Sequence, residues 1–154
     1  MLRKLSQYWA KLAYVATLEV EASKGDINAA VARRNANEKR HLADQLNAEA
    51  DALESQAIAI EENIKTVDAE EETRKQGEEY QKLTPQEKYE DERASKKEKD
   101  AALGMAAKNR ADAADKRKLA AEQTASAEEK DRTAEMLSGL AANSRAFADK
   151  IRQL

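Results

Sequence analysis

Side chains that could carry out chemistry are sparse in this sequence. His41 is the single histidine among 154 residues, and there is no cysteine. A zinc site built from histidine and cysteine is therefore excluded, and a nucleophile–histidine pair would depend on one histidine in a charged helical stretch. The acidic run 68–72 is typical of a solvated surface, and no glycine-rich phosphate loop occurs. We expect no enzymatic activity, no metal site and no cofactor.

The amino-terminal segment, residues 1–24, is the best candidate for binding. It holds three of the chain's six aromatic residues together with several leucines and valines, flanked by Arg3, Lys4 and Lys11. Such a segment can dock into a protein groove, cap its own bundle or lie in a membrane interface. The apolar residues of 2–20 cover most of a helix circumference, which favours protein docking. The proposed docking residues are Leu5, Tyr8, Trp9, Leu12 and Val15.

Two heptad columns indicate the elements that must position this segment. Every seventh residue from Ala106 to Ala148 is alanine, and an earlier column runs from Tyr8 through Val15 and six alanines to Ile64. A seven-residue repeat keeps one stripe of a helix against a partner, and alanine lets the two backbones approach closely. The composition agrees, since the chain is 37% charged and has four glycines and one proline. The sequence predicts long helices laid against each other.

A turn is predicted at residues 83–85. Thr84 fits a helix N-cap, Pro85 the first helical position and Glu87 the third residue of a capping box. Since short links favour antiparallel neighbours, we expect a hairpin in which paired residue numbers total about 168. A proline kink within one straight helix is the alternative. Tyr80, Leu83 and Tyr89 would close the tip.

The predicted fold is all-α: a long, alanine-rich, coiled-coil-like antiparallel helical hairpin preceded by a short apolar amino-terminal helix. Its parts are the docking helix 1–24, the first arm 25–83 and the second arm 84–154. Gly25 favours a kink or short break between the first two parts, and an interior position in one continuous helix is the alternative. Gly77, Gly104 and Gly139 are interpreted as interior helix positions.

Alanine doublets in the second arm predict two small-residue surfaces, because neighbouring residues lie about 100° apart around a helix. One surface would face the first arm and the other a further helix; alternatively, alanine serves there only as a good surface helix former. The proposed packing seam comprises Leu46, Ala50, Leu53, Ala57, Ile60, Ile64, Ala107, Ala114 and Ala121.

Charged residues are predicted to cover the outer faces. Several acid–base pairs are spaced i,i+4, among them Glu61 with Lys65 and Glu71 with Lys75. The net charge is −3 with the signs interspersed, so we do not expect a nucleic-acid partner. No secretory signal or transmembrane helix is expected, which suggests a cytoplasmic location or one within a large assembly.

Three functions fit these features. The favoured one is a structural or assembly protein whose hairpins pack into a homo-oligomer or a larger complex with protein partners, anchored by the amino-terminal segment. The alternative is a membrane-active or delivery component that engages lipid through residues 1–24. The alanine-rich, helix-forming composition resembles that of small internal or tail-associated phage virion proteins, and the resemblance is one of composition alone. A desiccation protectant also fits alanine, lysine and glutamate, but the hydrophobic columns argue against it.

Overall fold

The computed structural model describes all 154 residues and contains helices only. Helix α1 spans Leu2–Lys75, α2 spans Glu78–Gln81 and α3 spans Pro85–Gln153. The two long helices pack against each other as a hairpin, so the predicted all-α helical hairpin is confirmed. The chain divides into two compact units. Residues 1–43 with 121–154 form unit 1, and residues 44–120 form unit 2.

No break occurs at Gly25, where the sequence favoured one. Helix α1 runs without interruption from Leu2, so residues 1–24 are its first turns rather than a separate helix. A Cβ atom at Gly25 would lie 3.3 Å from the Cβ of Ala141 and 3.4 Å from the carbonyl oxygen of Leu137. The glycine therefore permits close approach of α1 and α3, rather than ending a helix.

The first long helix ends earlier than expected. The sequence placed the turn at residues 83–85 and Gly77 inside the first helix, but α1 stops at Lys75 and Gly77 is the N-cap of α2. Gly77 has extended backbone angles, φ −75° and ψ 157°. Glycine has a high entropic cost in a helix, which makes residues 76–77 a weak point at which the chain can change direction.

Helix α3 begins at the predicted turn. Pro85 is its first residue, and the Glu87 N–H donates to Oγ1 of Thr84 over 3.2 Å. The N–H of Lys88 donates to the Thr84 carbonyl oxygen over 2.9 Å. Since proline has no N–H and the Thr84 hydroxyl accepts one of the unpaired helix donors, these residues fix the start of α3.

Tyr80 is the buried aromatic residue at the tip. Its ring lies 5.5 Å from the Arg74 guanidinium carbon and 5.3 Å from the Lys88 Nζ, so cations from α1 and α3 both contact it. Leu83 is half-buried, but Tyr89 is 64% exposed and does not close the tip as the sequence suggested.

Alanine forms most of the core in both units. In unit 1, Val15, Leu18 and Ala148 form a cluster with Ile151 packed against it. The rest of the unit 1 core is alanine: Ala22, Ala29, Ala36, Ala43, Ala127, Ala134 and Ala141. The unit 2 core adds Tyr80 to Ala50, Ala57, Ala106, Ala113 and Ala120. Both heptad columns of the sequence therefore lie at helix contacts, except for the exposed Tyr8 at the start of the first column, and most of their side chains are small.

Ion pairs between α1 and α3 border the alanine seam. Those of unit 1 include Glu19–Arg152, Asp26–Arg145 and Arg40–Asp131. Those of unit 2 include Asp51–Arg117 and Glu54–Arg117 at 2.8 Å each, Glu61–Arg110 at 2.8 Å and Glu49–Lys116 at 2.6 Å. Asp51–Arg117 falls on the expected register, and Glu61–Arg110 lies about three positions from it.

These pairs differ from the i,i+4 pairs expected within each helix. Glu61 contacts Arg110, and Glu71 contacts Lys99, instead of the lysines four residues onward in α1. Glu61 and Arg110 follow seam alanines by four residues, and Glu71 and Lys99 occupy the heptad columns themselves. Both placements direct the side chains toward the partner helix, where an opposite charge lies closer. Because exposed pairs each contribute about 0–1 kcal/mol, their main effect is to select one register.

Candidate docking site: the first turns of α1

The first turns of α1 expose a group of large apolar side chains. Leu2 is 84% exposed, Leu5 49%, Tyr8 55%, Trp9 65% and Leu12 39%. Their spacing places them within about 120° of the helix circumference, at about 100° per residue. We call Leu2, Leu5, Tyr8, Trp9 and Leu12 the amino-terminal stripe. Four of its members belong to the docking set proposed from the sequence.

Val15, the fifth proposed docking residue, is only 5% exposed. It packs with Leu18 and Ala148 in the unit 1 core, so its assignment to docking is corrected. The physical reason lies in the heptad column that runs from Tyr8 through Val15 to Ala22, because Val15 is its first buried member whereas Tyr8 is 55% exposed. Val15 and Leu18 instead fix the stripe to the hairpin.

The stripe also contains a ring contact. The Tyr8 and Trp9 rings meet edge to face, with centroids 6.2 Å apart and planes inclined by 70°. A second edge-to-face pair, Tyr14 with Phe147, lies farther along at 6.2 Å between centroids and joins α1 to α3. Tyr14 is therefore engaged by α3, whereas Tyr8 and Trp9 contact each other and remain more than half exposed.

Positive charge accompanies the stripe. Arg3, Lys4 and Lys11 are the charged side chains of residues 1–18, and the first carboxylate is that of Glu19. Glu19 forms an ion pair with Arg152 of α3. Lys11 Nζ donates to the Arg152 carbonyl oxygen over 3.3 Å, which supplies a donor to the last turn of α3. The amino-terminal turns thus present apolar and cationic groups with no carboxylate among them.

In the first arm the members of the proposed packing seam are buried or half-buried. Ala50 and Ala57 are fully buried, and the larger members of the set lie half-buried beside them. These half-buried residues are Leu46, Leu53, Ile60 and Ile64.

In the second arm the proposed seam is one residue out of place. Within the hairpin, Ala106, Ala113 and Ala120 are buried, with exposures of 2%, 0% and 1%. Their neighbours Ala107, Ala114 and Ala121 are exposed. The doublets made the two surfaces look alike in sequence, but only the first alanine of each doublet packs against α1.

A polar cluster near the tip was not anticipated. Lys99 of α3 pairs with Asp68 and, at 2.7 Å, with Glu71, while the Ser95 hydroxyl also donates to Glu71. Hydrogen bonds from Lys99 and Ser95 lower the pKa of Glu71, and those to Asp68 and Glu71 raise the pKa of Lys99. The sequence shows these charges but not which ones meet across the hairpin. The cluster joins α1 to α3.

Neither long helix contains a stretch apolar enough to cross a bilayer. Comparison with protein-family models, curated proteins and solved structures finds no match for this chain.

Proposed function

We propose that this chain is a non-enzymatic structural or assembly protein. Its hairpins associate through surfaces left exposed on α1 and α3, and the first turns of α1 anchor the assembly to a partner. The proposal is one of self-association and docking, and it assigns no catalytic residue.

The small number of large apolar residues that are buried, compared with those that are exposed, supports this proposal. Of the sixteen buried residues, only Val15, Leu18 and Tyr80 are larger than alanine. Twenty large apolar residues, by contrast, are exposed, including Ile27, Met105 and others on both long helices. Burial of apolar area is the main favourable term in folding and association, and these exposed residues supply apolar surface that contact with another molecule could bury.

The exposed alanines of α3 indicate which surface would associate with another hairpin. Ala107, Ala114 and Ala121 repeat every seven residues on α3, immediately beside the buried column. A helix of another hairpin can approach this surface closely at the repeated alanines, because their side chains are single methyl groups. We expect this second small-residue surface to contact another copy of the chain.

The test is light scattering after gel filtration on the full chain carrying Ala114→Leu. The leucine should crowd the intermolecular contact and reduce the average mass, while helicity stays unchanged. The matched control is Ala52→Leu, which enlarges an exposed alanine of α1 outside the doublets. Unchanged association in Ala114→Leu, or equal loss in both variants, would refute the assignment of this surface.

Membrane engagement is the second candidate function, and the amino-terminal stripe favours it. Exposed Trp9 and Tyr8 lie among leucines in a segment whose charges are all positive. In that case the protein would be a membrane-active or delivery component, a role consistent with its resemblance in composition to phage virion proteins.

A further inference from the structure

We propose that the amino-terminal stripe binds an anionic lipid surface, with α1 lying in the plane of the interface over residues 2–12. This inference rests on the proposed role of these turns as the anchor and names the partner of that site. Three observations carry it: segregation of apolar from charged side chains, the sign of the charge and the attachment of the segment to the hairpin.

The apolar and charged side chains of residues 2–12 lie on different sides of α1, which becomes clear when the residues that pack against α3 are considered separately. Val15 and Leu18 are buried against Ala148, and Tyr14 contacts Phe147. The remaining apolar side chains occupy about one third of the circumference, and the cations at positions 3, 4 and 11 lie outside that arc. The apparent all-round apolar pattern of residues 2–20 therefore arises from two surfaces, one directed to α3 and one free.

The charge favours lipid over a protein groove of mixed charge. Residues 1–18 carry three cations and no carboxylate, whereas the rest of the chain mixes both signs. Cations on the polar face of an amphipathic helix are attracted to anionic headgroups, while apolar side chains enter the acyl boundary. Trp9 and Tyr8 suit this depth because their rings are largely apolar and their polar atoms face water.

The segment is already helical before it meets a surface. Continuity with α1 and burial of Val15 and Leu18 hold the stripe in position, and the Leu5 N–H donates to the Met1 carbonyl oxygen over 3.2 Å. Many interfacial helices must fold on the membrane, which reduces their affinity. Because this segment is already helical, the free-energy cost of folding on the membrane is smaller, and a stripe of five residues is enough for binding.

Trp9 is the only tryptophan and provides the measurement. The full chain is titrated with vesicles of phosphatidylcholine and phosphatidylglycerol, and with vesicles of phosphatidylcholine alone. On the anionic vesicles we expect Trp9 emission to shift to shorter wavelength and to be quenched by brominated acyl chains. A loss of this response at high salt identifies the electrostatic component.

Two variants with matched controls separate the contributions. Leu5→Glu should abolish binding, whereas Ile58→Glu, at an equally exposed apolar position of α1, should not. Lys4→Gln should weaken binding roughly fivefold, as expected for removal of one cation near an anionic surface. Lys65→Gln removes an exposed lysine of α1 in unit 2 and should leave binding unchanged.

Three outcomes would overturn the inference: an unchanged Trp9 spectrum on anionic vesicles, equal binding to both vesicle types, or a blue shift that follows protein concentration without lipid. The last would assign the stripe to a second copy of the chain. Association in lipid-free buffer is measured separately, so failure of lipid binding with intact oligomers leaves the proposed function standing.

Discussion

Neighbouring alanines in α3 allow a demanding test of the hairpin contact. Ala113 is fully buried, whereas Ala114, the next residue, is exposed. Substitution of each by leucine adds the same three carbon atoms to the same helix. Only the leucine at 113 must find space between two closely packed backbones.

The expected magnitudes differ severalfold. Overpacking a well-packed contact costs about 1–3 kcal/mol. In a chain of this size each kcal/mol shifts Tm by about 2–4 °C, so Ala113→Leu should lower Tm by about 2–12 °C. Leucine is nearly as good a helix former as alanine, so Ala114→Leu should change the free energy of unfolding by less than about 0.5 kcal/mol.

The assay is thermal unfolding followed by circular dichroism at low protein concentration, where association contributes least. The reasoning about the seam is refuted if the two variants lose equal stability, or if Ala114→Leu is the more damaging. Far-ultraviolet spectra before heating confirm that both variants begin helical.

Further predictions concern the glycines, the cap and the tip. Gly104→Ala should stabilise the chain by about 1 kcal/mol, because no atom lies within 4 Å of the added Cβ; Gly25→Ala should gain less, since its Cβ meets α3 at 3.3 Å. Chemical denaturation of the pair checks this, and equal gains would contradict the close approach. Thr84→Ala should cost about 1 kcal/mol through loss of the cap, and Thr84→Ser should restore most of it. Because the pKa of Glu71 is lowered mainly by its bond from Lys99, its contribution to stability is present above about pH 4.3, the unfolded value, and is lost as pH falls through the folded pKa. When Tm is measured as a function of pH, the Tm of Glu71→Gln should therefore fall less steeply on acidification than that of the native chain. Parallel Tm curves for the two proteins would refute this.

The sequence predicted the helices, the turn at Thr84 and Pro85, and the two alanine columns because each has a local signal. It did not decide which alanine of each doublet faces α1, since both carry the same side chain. A usable signal was present in the columns themselves: the one through Ala106 and Ala113 is alanine at every seventh residue to Ala148, whereas the one through Ala107 and Ala114 continues with Glu128, Glu135 and Asp149. The column without charged residues is the one buried against α1.

The first turns of α1 expose apolar residues, as the sequence suggested, but the exposed set does not include Val15. Val15 belongs both to the apolar amino-terminal segment and to the heptad column, and the sequence does not rank these roles. In the structure Val15 packs against Ala148, so it belongs to the contact with α3. The end of α1 at Lys75 was missed because a single glycine is compatible with either a helix interior or a cap.

The proposed assembly depends on association of the full chain, which sedimentation equilibrium measures directly. Across a concentration series in lipid-free buffer, we expect a discrete oligomer whose mass is a multiple of the 17.1 kDa monomer. A single 17.1 kDa species at every concentration would contradict self-assembly through the exposed surfaces of the hairpin.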